Sequence, residues 1–185
     1  MNFPLKTIFF SGLVTIAAFV MIVSQSCNAD KCKSLICANH GVCNMGVCIC
    51  PAGFDGTNCE DTARNKFGGN WMVFEKGSAT FANQYPITIV PGDLITDILI
   101  YNFYDSIKHP ILATVSGTTL TIPNQRYEGK IILGKGYIYT PSNVNYNQYS
   151  AMSVQYEIID SATGHINDFG YDALDDGSAP SAWNK

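Results

Sequence analysis

Six cysteines between residues 32 and 59 constrain this chain more than any other feature. They read Cys-x4-Cys-x5-Cys-x4-Cys-x-Cys-x8-Cys and end in Cys48-Ile49-Cys50-Pro51-Ala52-Gly53-Phe54-Asp55-Gly56-Thr57-Asn58-Cys59. So short a segment cannot bury enough apolar surface to offset its chain entropy. Disulfides can hold it, each typically worth about 2–4 kcal/mol through the constraint it puts on the unfolded chain. Disulfides persist in oxidising compartments, so the spacing predicts a protein outside the cytoplasm. Spacing alone does not choose among the pairings that six cysteines allow. Cys-x-Cys and Cys-x4-Cys also occur in zinc clusters. Structural zinc thiolates and export signals seldom coincide, and the Gly-Phe-x-Gly context belongs to the disulfide reading, so no metal site is expected.

The N-terminus agrees with export. Lys6 precedes an apolar run from Thr7 to Val23, and Ser24-Gln25-Ser26 follow, which reads as a signal peptide over 1–26. At 1.5 Å per residue the run covers about 25 Å against roughly 30 Å of hydrocarbon, so an uncleaved anchor is the lesser alternative. The chain has seven cysteines, and Cys27 stands outside the set of six. The Ser26-Cys27 junction with Asp30 nearby resembles the lipidation site of Bacteroidota-type surface lipoproteins, although Ser24 stands where lipoproteins usually have Leu. That resemblance implies cleavage before Cys27, a lipid anchor on its sulfur, a membrane as partner and a tether over 27–31. The competing expectation is simple secretion. Cleavage after Ala29 removes Cys27 and leaves an even set.

The ending Cys-x-Cys-x2-Gly-Phe-x-Gly-x2-Cys resembles the EGF-like domain, and Asn39-His40-Gly41-Val42-Cys43 is similar to that family's Asn-Gly-Gly-x-Cys turn. Over 32–59 the resemblance implies the pairs Cys32–Cys43, Cys37–Cys48 and Cys50–Cys59. Gly53 and Gly56 suit tight turns, and Phe54 is expected to cover the terminal bridge. Calcium-binding members carry acidic residues before the first cysteine and an aromatic between the third and fourth. This chain has Ala29-Asp30-Lys31 and Asn44-Met45-Gly46-Val47 there, so no calcium site is expected. His40 is expected to face solvent.

Residues 60–65 are polar and read as a linker. The remainder, 66–185, predicts an all-β domain: an antiparallel barrel, with a sandwich as the structural alternative. Met152 to Ile158 alternates apolar and polar, as a half-buried strand requires. Ile111–Val115, Ser116-Gly117 and Thr118–Ile122 read as a hairpin. Further strands are expected at Trp71–Glu75, Pro86–Val90, Asp97–Tyr104, Lys130–Tyr139 and His165–Phe169. Phe67-Gly68-Gly69-Asn70-Trp71 resembles the opening motif of the lipocalin-like (calycin) barrels, which implies that Trp71 closes the barrel base.

Function is less legible. Formal net charge is −4 with no Lys/Arg run, which argues against nucleic acid. His40, His109 and His165 form no metal motif, and no Gly-x-Ser-x-Gly elbow occurs. No catalytic residue and no cofactor are expected. Asp168 and Asp172 are within reach of each other, and Asp172–Gly177 reads as a solvated acidic turn. Asn102 interrupts an apolar strand, Pro123-Asn124-Gln125 is expected at a barrel mouth, and Arg126 follows it. Amides that satisfy backbone groups are the favoured reading of Asn102 and Gln125. The expectation is a non-enzymatic surface lipoprotein whose barrel binds an extracellular protein, a glycan or a small apolar ligand. The alternatives are a secreted adhesion protein acting through the EGF-like face, and a secreted hydrolase with carboxylates at the barrel mouth.

Overall fold

The computed structural model describes residues 31–141, 150–172 and 178–185. The expected signal peptide, Cys27 and most of the Asp172–Gly177 turn lie outside the described residues. Two short hairpins open the described chain: β1 (Val42–Asn44) with β2 (Val47–Ile49), and β3 (Phe54–Asp55) with β4 (Asp61–Thr62). The bridges are Cys32–Cys43, Cys37–Cys48 and Cys50–Cys59. In the first hairpin Cys43 lies opposite Cys48, so two bridges leave from one face of the ribbon.

The barrel strands are β5 (Gly69–Glu75), β6 (Asn83–Pro91), β7 (Asp97–Tyr101), β8 (Ile111–Ser116), β9 (Thr119–Tyr127), β10 (Lys130–Tyr139), β11 (Ala151–Asp160) and β13 (Ser181–Asn184). Each pairs antiparallel with its sequence neighbour from β5 to β11. β11 then pairs with β13, and β13 pairs back to β5. The sheet is thus an eight-stranded antiparallel barrel, and the sandwich alternative falls. The short β12 (Ile166–Phe169) joins β11 beyond the point where β13 leaves it.

Alternation along each strand sends one set of side chains inward. Trp71 and Val73, Ile87 and Ile89, Val154 and Tyr156, and Trp183 are all buried. Phe103 and Phe169 add two more rings, with Tyr156 stacked on Phe169 at 4.3 Å between centroids. Large side chains therefore fill the interior. Gly134 makes room for them. A Cβ built there would lie 2.6 Å from the Cβ of Tyr156 and 2.8 Å from the Gln155 carbonyl oxygen on the facing strand. A register shift between Ile132 and Gly134 sits beside it in the β9–β10 pair.

Three elements differ from the sequence reading. The strand expected over Asp97–Tyr104 ends at Tyr101. Asn102 turns left-handed at φ 60°, Tyr104 and Asp105 follow at φ 57° and 50°, and Phe103 folds into the core. The amide of Asn102 donates to the Pro86 carbonyl at 2.8 Å, a bond that holds the reversal. The second strand of the expected hairpin continues past Ile122 to Tyr127, because the register shift absorbs Pro123 within the strand. β13 carried no expectation at all.

The residues read as a linker are built into the structure. Asp61–Thr62 is β4, and Ala63–Lys66 is a single 3-10 turn. The Ala63 N–H donates to the Gly53 carbonyl at 2.9 Å, and Arg64 donates to the carbonyls of Gly92 and Leu94. Lys66 pairs with Asp55, and Gly53 lies against Ile95. The cysteine module is thus docked on the barrel end where β5 begins, and Glu75 lies at the opposite mouth.

Candidate functional site

The mouth is organised by one buried carboxylate. Glu75 follows Trp71 and Val73 on the inward face of β5, and only 8% of it is exposed. Tyr85 on β6 donates to its Oε1 at 2.6 Å. Tyr156 on β11 and Ser181 on β13 donate to Oε2 at 2.7 and 2.9 Å. The indole of Trp183 donates in turn to Ser181 Oγ at 2.8 Å. Burial pushes the Glu75 carboxyl above the usual glutamate value, against the pull of three hydroxyl donors, and the Asp105 charge adds to the rise. Burial likewise drives the phenols of Tyr85 and Tyr156 upward. Both oxygens of Glu75 are engaged by the protein, so the group fastens four strands.

A cleft of about 450 Å³ opens above it. Glu75 forms part of its floor, and Thr80, Phe81, Asn83, Tyr104 and Asp105 line it. Phe81 stands on the β5–β6 loop with 95% of its surface exposed. Tyr104 packs edge-on against Phe169 and accepts a hydrogen bond from Asn167 Nδ2 at 3.1 Å. A second cleft, of about 290 Å³, shares Thr80 and Tyr104 and continues to Asp160, His165 and Asn167. The two make a polar groove with aromatic faces along the rim. Its wall includes Tyr104 and Asp105, non-glycine residues in the left-handed region, and strained backbone of this kind tends to gather at functional sites.

The other sequence candidates are dispersed. Asn102 is exposed, and Gln125 bonds to both backbone groups of Leu112, so these amides serve the backbone. Arg126 is exposed, His109 stacks on Tyr127, and His40 is exposed in its turn. Trp71 is buried and donates its indole N–H to the Phe67 carbonyl at 2.7 Å, with Lys185 over its ring. Asp168 and Asp172 do meet, and they meet a residue the sequence reading left out. The carboxylates of Glu157, Asp168 and Asp172 lie within 4.8 Å of one another. Burial and the two aspartate charges raise the Glu157 carboxyl. Three oxygens at that spacing are within reach of one divalent ion. Asp168, however, already accepts the backbone N–H groups of Tyr171 and Asp172, and none of the three residues lines the mouth clefts.

Fold and site together define a disulfide-stapled module fixed to a filled β-barrel with a polar mouth. Residues 34–62 match the family model of the teneurin-like EGF domain. The match covers the module from Ser34 onward, leaving out Cys32, and ends before β5. No curated protein and no solved structure matches the chain. A disulfide-rich EGF-like module points to an extracellular setting. Among the described residues, no helix is long and apolar enough to cross a membrane.

Proposed function

We propose that this protein is a non-enzymatic, exported surface lipoprotein that presents a glycan-binding barrel mouth. One observation carries the reading: the module docks at one end of the barrel and the polar groove opens at the other. Acylation at Cys27 would put the anchor on the module side and turn the groove outward. The filled interior favours a ligand bound at the rim over an apolar ligand carried inside. The exposed Phe81 ring, the Tyr104 phenol, hydroxyls and carboxylates supply what sugars need: an apolar face to stack on and polar groups to bond.

A hydrolase is the competing reading, favoured by the raised Glu75 carboxyl beside Asp105 at the cleft. Against it, three protein hydroxyls already occupy the Glu75 oxygens. A glycan array read with the native protein and with Phe81→Ala tests the proposal. Retained sugar that the variant loses at least tenfold supports it. No retained sugar, or released product from any array position, overturns it. Intact mass of the native protein tests the anchor: acyl mass on a chain starting at Cys27 is expected, and an unmodified chain starting at Asp30 overturns it.

A further inference from the structure

The first hairpin of the module has a face that the disulfides do not cover. Its register pairs Val42 with Ile49, Cys43 with Cys48 and Asn44 with Val47. Alternation turns both cysteines inward, where they bridge to Cys32 and Cys37. The other face therefore carries Val42, Asn44, Val47 and Ile49. Its three apolar residues are 66%, 66% and 57% exposed, and Met45 at the turn is 83% exposed. Met45 and Gly46 both have positive φ, which fits a tight two-residue hairpin turn and projects the Met45 side chain from its tip. The hydrogen bonds and ion pair described above that dock the module on the barrel involve Gly53, Asp55, Ala63, Arg64 and Lys66, all beyond this hairpin. Such an apolar face on so small a module marks a contact surface.

Chain connectivity indicates what covers it. Lys31 lies against the hairpin turn, because a Cβ built on Gly46 would sit 2.9 Å from the Lys31 Cβ. The chain thus enters the module beside Met45. Cys27 is five residues before Cys32, which is about 17 Å of chain at full extension. An acyl chain on Cys27 would hold this turn next to the bilayer surface. Lys31 lies against the turn and the exposed Lys33 follows two residues later, and basic side chains close to exposed apolar ones match the headgroup boundary of an anionic membrane.

We propose that Val42, Met45, Val47 and Ile49 form a membrane seat that inserts into the interfacial layer of the bilayer, with Lys31 and Lys33 at the headgroups. The setting rests on the lipid-anchored reading, but the face itself needs no acyl chain. It adds interfacial burial to the attachment that a lipid anchor gives, and it fixes the tilt of the module. The barrel, rigidly docked on the module, then holds its mouth in one orientation to the membrane.

The test uses the chain from residue 27, which contains every described residue, with Cys27→Ser so that no acyl chain contributes. Sedimentation with phosphatidylcholine vesicles at millimolar lipid, with and without one part in three of phosphatidylglycerol, reads partition. Measurable binding is expected. The triple variant Met45→Ser/Val47→Ser/Ile49→Ser is expected to lose it at least tenfold with its three bridges intact by mass. Lys31→Ala/Lys33→Ala is expected to lose only the gain from anionic lipid. No partition of the parent chain, or equal partition of the triple variant, overturns the seat. A dimer in sedimentation velocity that the triple variant abolishes also overturns it, since a second copy then covers the face. An unacylated native chain in the intact-mass measurement removes the anchor and leaves the vesicle result to decide the face by itself.

Discussion

Glu75 was readable by position and not by role. It shares the parity of Trp71 and Val73, so alternation alone turns it inward. Sequence does not supply its three donors, which come from three strands folded to one end of the barrel. The pH dependence follows from the sign of the shift. A carboxyl raised by burial is neutral in both folded and unfolded chains below about pH 4.3, the ordinary glutamate value. As pH rises through that value toward the folded one, ionisation of the unfolded chain costs the native state stability, and the full cost is reached above the folded value. Tyr85→Phe keeps the ring and removes a donor that favours the ionised form. It should destabilise the barrel by about 1–2 kcal/mol at neutral pH, and the loss should shrink as pH falls toward the ordinary carboxylate range. Urea denaturation at two pH values reads this; an equal loss at both would show that Glu75 keeps one protonation state across them and would overturn the prediction. The acidic trio has a similar history. Glu157 sits on the outward parity of β11, where a charged residue draws no notice, and only its pairing with Asp168 on β12 reveals the cluster.

At the scale of elements, strands bounded by clear turn signals were legible, including β8 and β10, and β11 was legible from its two-residue period. What failed was local chemistry that competes with the period. Asn102 can adopt a left-handed backbone and end a strand whose apolar run continues into Phe103. Pro123 usually ends a strand, yet here it lies where the β9–β10 register shifts. β13 has only four residues, and Trp183 is its one large apolar side chain, too little for a periodic signal. The closure these elements permit depends on Gly134. Gly134→Val should prevent folding, because the new atoms meet the Tyr156 Cβ and a fixed carbonyl on the facing strand. Gly68→Ala, whose nearest atoms would lie 3.9 Å away, should stay within about 0.5 kcal/mol of the parent. Soluble yield and near-ultraviolet circular dichroism separate the two outcomes, and a well-folded Gly134→Val would disprove the close-approach argument.

At the scale of the whole molecule, the cysteine spacing was the most legible feature, since so few folds fit that pattern. The junction was not legible, because a run such as Glu60-Asp61-Thr62-Ala63-Arg64-Asn65 reads as solvated chain until its partners are known. Arg64 is the residue whose partners matter most there. Arg64→Ala removes the guanidinium from the Gly92 and Leu94 carbonyls, leaving Leu94 with only the Asp97 N–H, and should loosen the module from the barrel. A loss of about 1–2 kcal/mol, faster amide exchange in the 92–96 loop and a larger radius by X-ray scattering are the expected readings. An unchanged radius with unchanged exchange would mean that the Lys66–Asp55 pair and the Gly53–Ile95 contact suffice.

The route of closure has its own consequence. Ser181 reaches Glu75 across 106 positions of sequence, and β13 is the piece that joins β11 to β5. A chain made N-terminus first presents its oxidised module early, then a growing sheet with two open edges, and the ring shuts only when β13 arrives. Closure acts as a check on completeness: a chain interrupted before Ser181 keeps bare edges that invite aggregation or proteolysis, and only one read through to Asn184 becomes resistant.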